Sequence, residues 1–524
     1  MIIKKLKNIL NKTEKYSAYI ICGLMLIIMS FCFIESFMHT MELRSSEEAF
    51  EGIIYHNDNF LINALILISL LLCISFLIKY LEKIPLWIQI IFMTAVVITA
   101  GTVWIFSAQL APAEDSYTVT HAALMASEGD YSFVGENYFN NCTYQLGYVF
   151  FCEILIKLFG RGQQNLLYMG IINVIFLAAA YIGLVVIMGK VFKSKRIQTL
   201  TVFTLLFSLQ PVIYSSFLYG VIPGISMVIF SLLFEIMYFQ SDNKTKYLWA
   251  ALSAFCIAVS VMLKLNNNIA LVAIILLAVV KTFKKFRLSH LGYIALVLVL
   301  SLSVHPLINK MYENKSGIKL RSSIPMISYI SMGMHYPENV AGCTAAGWYN
   351  PYYTSVLFEQ NEWDTDKTSE ISKQQIKDRI KFFSEHHREA NDFFYEKNMS
   401  QWNEPTYSCI WLNAVRGRYN NPGKIAEYVC GDGAENVTEY MNIYQMLVFL
   451  SCLAGIFISL KKAKDMDIFS CSLPLIVLGG FLFHMFSEGK SQYILPYFIL
   501  LCGFSAYGLD FLCTRVSMII KLKK

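Results

Sequence analysis

Residues 84–106 read IPLWIQIIFMTAVVITAGTVWIF, an uncharged apolar run that continues directly into Ser107-Ala108-Gln109-Leu110-Ala111-Pro112-Ala113-Glu114-Asp115-Ser116-Tyr117. A hydrocarbon core of about 30 Å takes roughly 20 apolar residues of helix to cross. The run is therefore a membrane span, and two adjacent carboxylates stand about one helical turn beyond its end. The rest of the chain repeats the first half of this pattern many times. Of its 524 residues 56% are hydrophobic and only 15% charged, with a mean hydropathy of +0.49. A soluble domain is about 45–50% apolar and about 25% charged. These figures exclude a soluble globule, a disordered chain, collagen and a coiled coil.

Apolar runs predict twelve spans, near 17–38, 60–79, 84–106, 165–188, 197–217, 219–239, 247–263, 267–281, 290–308, 441–460, 468–486 and 491–513, in an all-α polytopic membrane protein. The basic stretch from Lys4 to Lys15 precedes an apolar run too long for a signal peptide, which is expected to stay as an anchor. Orientation follows from Lys and Arg. With both termini cytoplasmic, segments 1–16, 79–84, 189–196, 240–247, 281–289, 461–467 and 514–524 hold 24 of the 43 Lys and Arg, and the short opposite loops hold 5. The positive-inside rule then places the long segments 107–164 and 309–440 outside the plasma membrane.

This divides the chain into an N-terminal hairpin (1–80), a core with an external loop (81–308, loop 107–164), an external α-rich domain (309–440) and C-terminal spans (441–524). Thr118 to Glu128 predicts a short surface helix. Gln145 to Gly160 predicts an amphipathic one, with Gln145, Glu153 and Lys157 on one arc. Ser372 to Gln375 resembles a capping box opening a helix, whose apolar face runs through Ile376, Ile380, Phe383, Ala390 and Phe394. Cys142, Cys343, Cys409 and Cys430 fall outside, where Cys409–Cys430 is one possible disulfide. No Cys/His spacing suggests zinc, and nothing points to nucleic acid. Trp348 and Trp402, each among Tyr, Asn, Gly and Pro, suit a sugar-binding surface and an interfacial aromatic belt equally.

Ionisable residues gather at the outer surface, whereas an ion-coupled carrier would place them mid-membrane. Glycosyl transfer from a lipid-phosphate sugar fits this distribution. It needs a carboxylate to take the proton of the attacking hydroxyl and cationic or amide groups for the departing phosphate. Asp115 is the candidate base, with Glu114 beside it; a helix cap or a solvated carboxylate is the competing reading. Lys264, ending a span on the outer face, is a candidate phosphate ligand, against an ordinary snorkelling lysine. His335, Arg321 and Arg379 are external without an assigned role, and His305 suits a core histidine.

The acidic dipeptide after an early span, followed by Gly129-Asp130-Tyr131-Ser132 and Tyr144-Gln145-Leu146-Gly147, resembles the first external loop of GT-C fold glycosyltransferases. The bacterial polytopic relatives of the protein O-mannosyltransferases are the group it most resembles. Ile324 to Met334, Gly347-Trp348-Tyr349-Asn350 and Lys397 to Pro405 look like the external part of such proteins. The resemblance implies a many-helix membrane enzyme using a polyprenyl- or dolichyl-phosphate-linked sugar. It implies that Asp115 binds the acceptor or acts as base, and that Lys264 and Asn266 lie near the donor phosphate. A single displacement would invert the anomeric configuration; the expected acceptor is a glycan, glycolipid or teichoic-acid-like polymer, with weaker substrate contacts from Tyr144 and Gln145. No cofactor or essential metal is expected.

The sequence departs from the family at two places. Many bacterial relatives carry Ser-Asp-Gln where this chain has Glu114-Asp115-Ser116-Tyr117, and the acidic loop follows the third span rather than the first. The His-Phe-Gly-type partner of the eukaryotic mannosyltransferases is absent, so protein mannosylation is not implied. A flippase for lipid-linked sugars, a ligase or polymerase using a lipid-diphosphate donor, and a non-catalytic envelope scaffold are the competing functions.

Overall fold

The computed structural model describes residues 2–45, 51–161, 166–337, 345–416, 418–419 and 422–522; Cys343 lies outside them. Among the described residues, eleven helices are long and apolar enough to cross a membrane. They are α1 (Ile2–Met38), α2 (Phe60–Leu81), α3 (Leu86–Ala108), α6 (Leu167–Phe192), α9 (Val221–Gln240), α10 (Lys246–Leu263), α11 (Asn268–Lys284), α12 (Leu288–Ser316), α16 (Ala434–Lys462), α17 (Ser472–Phe486) and α18 (Leu495–Leu522). Two surface helices, α4 (Glu114–Ser127) and α5 (Leu146–Phe159), lie between α3 and α6. α13 (Met326–Gly333), α14 (Thr365–Glu385) and α15 (His387–Trp402) lie between α12 and α16.

The fifth expected span, 197–217, is not a continuous helix. It consists of α7 (Lys195–Leu206), a break at Phe207 to Leu209, the short α8 (Gln210–Tyr214) and irregular chain to Gly220. It still runs from one end of the bundle to the other. At its start Arg196 pairs with Asp510 at 2.6 Å and with Glu82 at 3.6 Å. At its far end Ser116 Oγ donates to the Leu218 carbonyl at 2.7 Å.

Irregular backbone at membrane depth is tolerated only where protein surrounds it and satisfies its polar groups. Residues 210–224 are buried, and other segments supply donors to the freed carbonyls. Trp104 Nε1 donates to Ile213 O at 2.8 Å. Asn173 Nδ2 donates to Ser215 O at 2.9 Å and Phe217 O at 3.4 Å.

With this broken crossing counted, the ends of alternate crossings gather consistently. One end holds basic clusters: Lys281 with Glu14 and Asp467, Lys284 with Glu14, and Arg287 with Asp242. The other end holds α4, α5, α13 to α15 and an antiparallel hairpin, β1 (His39–Arg44) with β2 (Gly52–Asn57), which the apolar pattern did not reveal.

Several local expectations are revised. α4 begins at Glu114 rather than Thr118, so the acidic pair sits in a first helical turn instead of a loop, where the helix dipole favours carboxylates. On the arc of α5 Lys157 is exposed, but Gln145 and Glu153 are buried, Glu153 accepting from Tyr312 Oη at 2.6 Å and Lys157 Nζ at 2.5 Å. α14 begins seven residues before Ser372. Asp364 caps it by accepting from the Asp366 and Lys367 amides, while Ser372 is buried mid-helix against Ser328 Oγ at 2.8 Å. Of the apolar face assigned to that helix, Ile376 and Phe383 pack with Ala390 and Phe394 across the break at His386, but Ile380 is exposed. Cys409 and Cys430 are not joined to each other by a disulfide.

The 309–440 segment is anchored to the bundle through its later part. Residues 397–413 are buried, and Gln210, Gln401 and Gln445 tie them into the bundle through Pro405 O, His484 O and Trp402 O. Replacing Asn173 with Leu strands two buried carbonyls, a loss of about 1–3 kcal/mol for a buried unsatisfied group. The expected outcome is a lowered thermal midpoint in detergent. On a cysteine-free background, thiols introduced at Lys193 and Tyr117 are expected to label from opposite sides of a sealed vesicle.

Candidate active site

Asp115 faces the short irregular segment that follows the broken crossing. Tyr219 Oη donates to Asp115 Oδ2 at 2.8 Å, and Gln145 Nε2 donates to Tyr219 Oη at 2.7 Å. Because Tyr219 accepts from the amide, its own proton is directed to the carboxylate. Burial raises the Tyr219 phenol well above its ordinary value, and the charge of Asp115 adds to the effect. The phenol therefore stays a donor, and Asp115 keeps its second oxygen for another partner.

Lys264 lies over a face of the same ring, its Nζ 3.5 Å from the ring centroid, a cation–π contact. No carboxylate pairs with Lys264 within 4.0 Å among the described residues. Burial pulls its ammonium down to about 8, against the opposing charges of Asp115 and Glu488. Two glycines permit this approach. A Cβ at Gly147 would meet the Met262 carbonyl oxygen at 2.2 Å, and one at Gly220, where φ is +75°, would meet the Leu263 carbonyl oxygen at 2.4 Å. The α5 helix and the Tyr219 segment can therefore close on the backbone immediately before Lys264.

Two adjoining cavities result. One, about 80 Å³, is lined by Lys264, Asn266, His484, Ser487 and Met326 among others. The other, about 390 Å³, is lined by Glu114, Asp115, Tyr138, Cys142, Tyr349 and Thr354 among others. Tyr144, Gln145, Tyr219, Tyr329, Glu488 and Tyr493 belong to both walls. Of the residues singled out in the sequence, Asp115, Glu114, Lys264, Asn266, Tyr144 and Gln145 thus converge.

Trp348 and Trp402 do not line either cavity. Both are fully buried: Trp402 packs on Phe481 and Tyr497, and Trp348 backs Lys490 with its ring. They are packing residues, since an indole with no exposed face offers nothing for a sugar to stack on. Arg379 donates to the Met334 carbonyl at 2.8 Å, Arg321 lies over Trp363, and His335 stacks on Tyr353. His305 bonds the Val261 carbonyl at 3.2 Å.

Tyr219, Tyr493, Glu488, Lys490 and Glu51 were not found from sequence. Tyr493 donates to Glu488 at 3.1 Å, burial raises the Glu488 carboxyl, and Lys490 pairs with Glu51 from the hairpin. The signal for two of them was the short loop Ser487-Glu488-Gly489-Lys490, where two opposite charges stand between apolar runs. Glu51, Tyr219 and Tyr493 gave none.

The fold and these cavities define a polytopic α-helical membrane protein with a polar site at one membrane face. A family model described as a conserved hypothetical integral membrane protein matches residues 9–508, and the chain belongs to that family. No curated protein matches it. Among solved structures it is similar to the archaeal oligosaccharyltransferase AglB from Archaeoglobus fulgidus, in complex with an inhibitory peptide and a dolichol-phosphate. That match has a TM-score of 0.37 and 13% identity, over 72% of this chain and 43% of that one. It is also similar to ArnT from Cupriavidus metallidurans bound to undecaprenyl phosphate, with a TM-score of 0.35 and 14% identity, over 80% of this chain and 78% of that one. The chain thus spans less than half the length of the oligosaccharyltransferase.

The charged form of Lys264 is the one that attracts an anion, so raising the pH through about 8 removes that attraction. Affinity for a short-chain alkyl phosphodiester, whose own charge is constant in this range, is expected to fall between pH 7 and 10. The fall should approach about tenfold per unit at its steepest. A bound anion stabilises the ammonium and moves the midpoint upward. Lys264→Arg is expected to flatten the profile in isothermal titration.

Proposed function

We propose that this protein is an inverting glycosyltransferase that moves a sugar from a polyprenyl-phosphate donor to a cell-envelope acceptor at the outer face of the plasma membrane. The observation that carries the reading is the arrangement about Tyr219: a carboxylate at its hydroxyl and an ammonium over its ring face, each lining its own cavity. A single displacement has the same polarity. The acceptor oxygen attacks the anomeric carbon and gives its proton to Asp115. The bond from that carbon to the phosphate oxygen breaks, and the electron pair leaves with the phosphate. Negative charge therefore grows on the phosphate, where Lys264 and the Asn266 amide stabilise it, while Asp115 is neutralised at the opposite end.

Tyr219 and Gln145 position the base by holding one carboxylate oxygen. Glu114 supports the local field and is not assigned the proton. The 24 basic residues at the opposite end support an external site. With Lys264 serving the leaving group, the reaction is written without a metal.

Incubation with a panel of polyprenyl-phosphate sugars, scoring which loses its sugar to an acceptor, tests the proposal. Asp115→Asn is expected to cut transfer by about 10²–10⁴-fold, the range for loss of a general base, at an unchanged thermal midpoint. Full activity in that variant contradicts the assignment. Lys264→Met is expected to raise the donor KM and lower kcat together. Transfer is expected to survive EDTA.

A further inference from the structure

We infer that the larger cavity takes a sugar residue bearing hydroxyl or ammonium groups and no carboxylate or phosphate; the inference rests on the glycosyltransferase reading and specifies its acceptor. The first observation is charge. Among the described residues, four carboxylates line this cavity, those of Glu51, Glu114, Asp115 and Glu488, against one cation, Lys490. That cation is committed to Glu51 and lies against the faces of Trp348 and Trp411, 5.2 and 5.1 Å from the ring centroids. Lys264 is absent from this wall and stands behind Tyr219. An anionic substituent entering here would meet like charge, which opposes its binding. The two cavities therefore sort charge: the phosphate belongs on the Lys264 side and is excluded from the other.

The second observation is independent of charge. Thr354 and Gln492 line the same cavity and are 1% and 6% exposed, and Thr354 Oγ1 and Gln492 Oε1 have no hydrogen-bond partner among the described residues. Buried polar atoms are ordinarily paired. An amide oxygen can only accept, so Gln492 is suited to a ligand that brings O–H or N–H groups. A hydroxyl-bearing ring supplies these, and the ring faces available from Tyr144, Tyr329, Tyr349 and Tyr493 suit its apolar side. At about 390 Å³ the cavity is at the small end of ligand sites, which run about 300–1,000 Å³. It fits a sugar residue and not a stretch of charged polymer. A polyanionic acceptor of the teichoic-acid kind would have to present a locally uncharged sugar.

The test uses the full-length protein in liposomes with a polyprenyl-phosphate hexose. Methyl glycosides of glucose, galactose and mannose serve as acceptors, each beside its 2-amino and its 6-carboxyl counterpart. Disaccharide product is expected from neutral or amino acceptors, with KM at least about tenfold higher for the carboxyl forms. Glu114→Gln is expected to narrow that ratio. Gln492→Leu and Thr354→Val are expected to raise the acceptor KM. Equal or preferred use of the carboxyl forms overturns the inference and leaves the transferase reading standing, as does donor turnover to water with no disaccharide from any acceptor. Absence of any donor turnover overturns the transferase reading and this inference with it.

Discussion

A backbone that leaves the helix inside a membrane protein must find a donor for every carbonyl it frees, and the site depends on how this chain meets that demand. Between Phe207 and Gly220 the fifth crossing is broken, and Trp104, Asn173 and Ser116 donate to its carbonyls. These side chains belong to α3, α6 and the first turn of α4, so one set of hydrogen bonds joins two spans and the surface helix carrying Asp115. The broken segment emerges at Tyr219, whose phenol bonds Asp115 and whose ring carries Lys264. A continuous helix here would leave the acid and the cation without the residue that separates and orients them.

The separation has an electrostatic consequence. A carboxylate and an ammonium free to meet would form an ion pair and cancel one another's charge. The Tyr219 ring gives Lys264 a cation–π partner and gives Asp115 a hydrogen bond, so each is stabilised without consuming the other. Gly147 and Gly220 make the approach possible by letting two segments touch the carbonyls of Met262 and Leu263.

Length and hydrophobicity were enough to locate eleven crossings, because a span of about 20 apolar residues is a local property. The twelfth was visible as apolar composition but its break was not, since Ser215 and Ser216 acquire their meaning from donors on other helices. Asp115 and Lys264 stood out because charges are rare in this chain. Tyr219 is one of 31 tyrosines, and nothing in its neighbourhood distinguishes it. Trp348 and Trp402 misled for the opposite reason: aromatic residues in a segment outside the apolar runs look exposed, and only the insertion of residues 397–413 among the spans reveals them as packing. Glu51 lies in a hairpin between α1 and α2, a region that seemed peripheral, and it reaches the cavity through Lys490.

On the proposed reading Lys264 and Asp115 serve different substrates, one over the ring face and the other at the hydroxyl of Tyr219. Titrating the purified protein with undecaprenyl phosphate alone, in wild type, Lys264→Met and Asp115→Asn forms, tests this most directly. Binding is expected to weaken by about tenfold or more in Lys264→Met, the scale of a lost charge-assisted contact of about 1.5–3 kcal/mol, and to be unchanged or slightly tightened in Asp115→Asn. Equal weakening in both variants, or none in Lys264→Met, would contradict that reading.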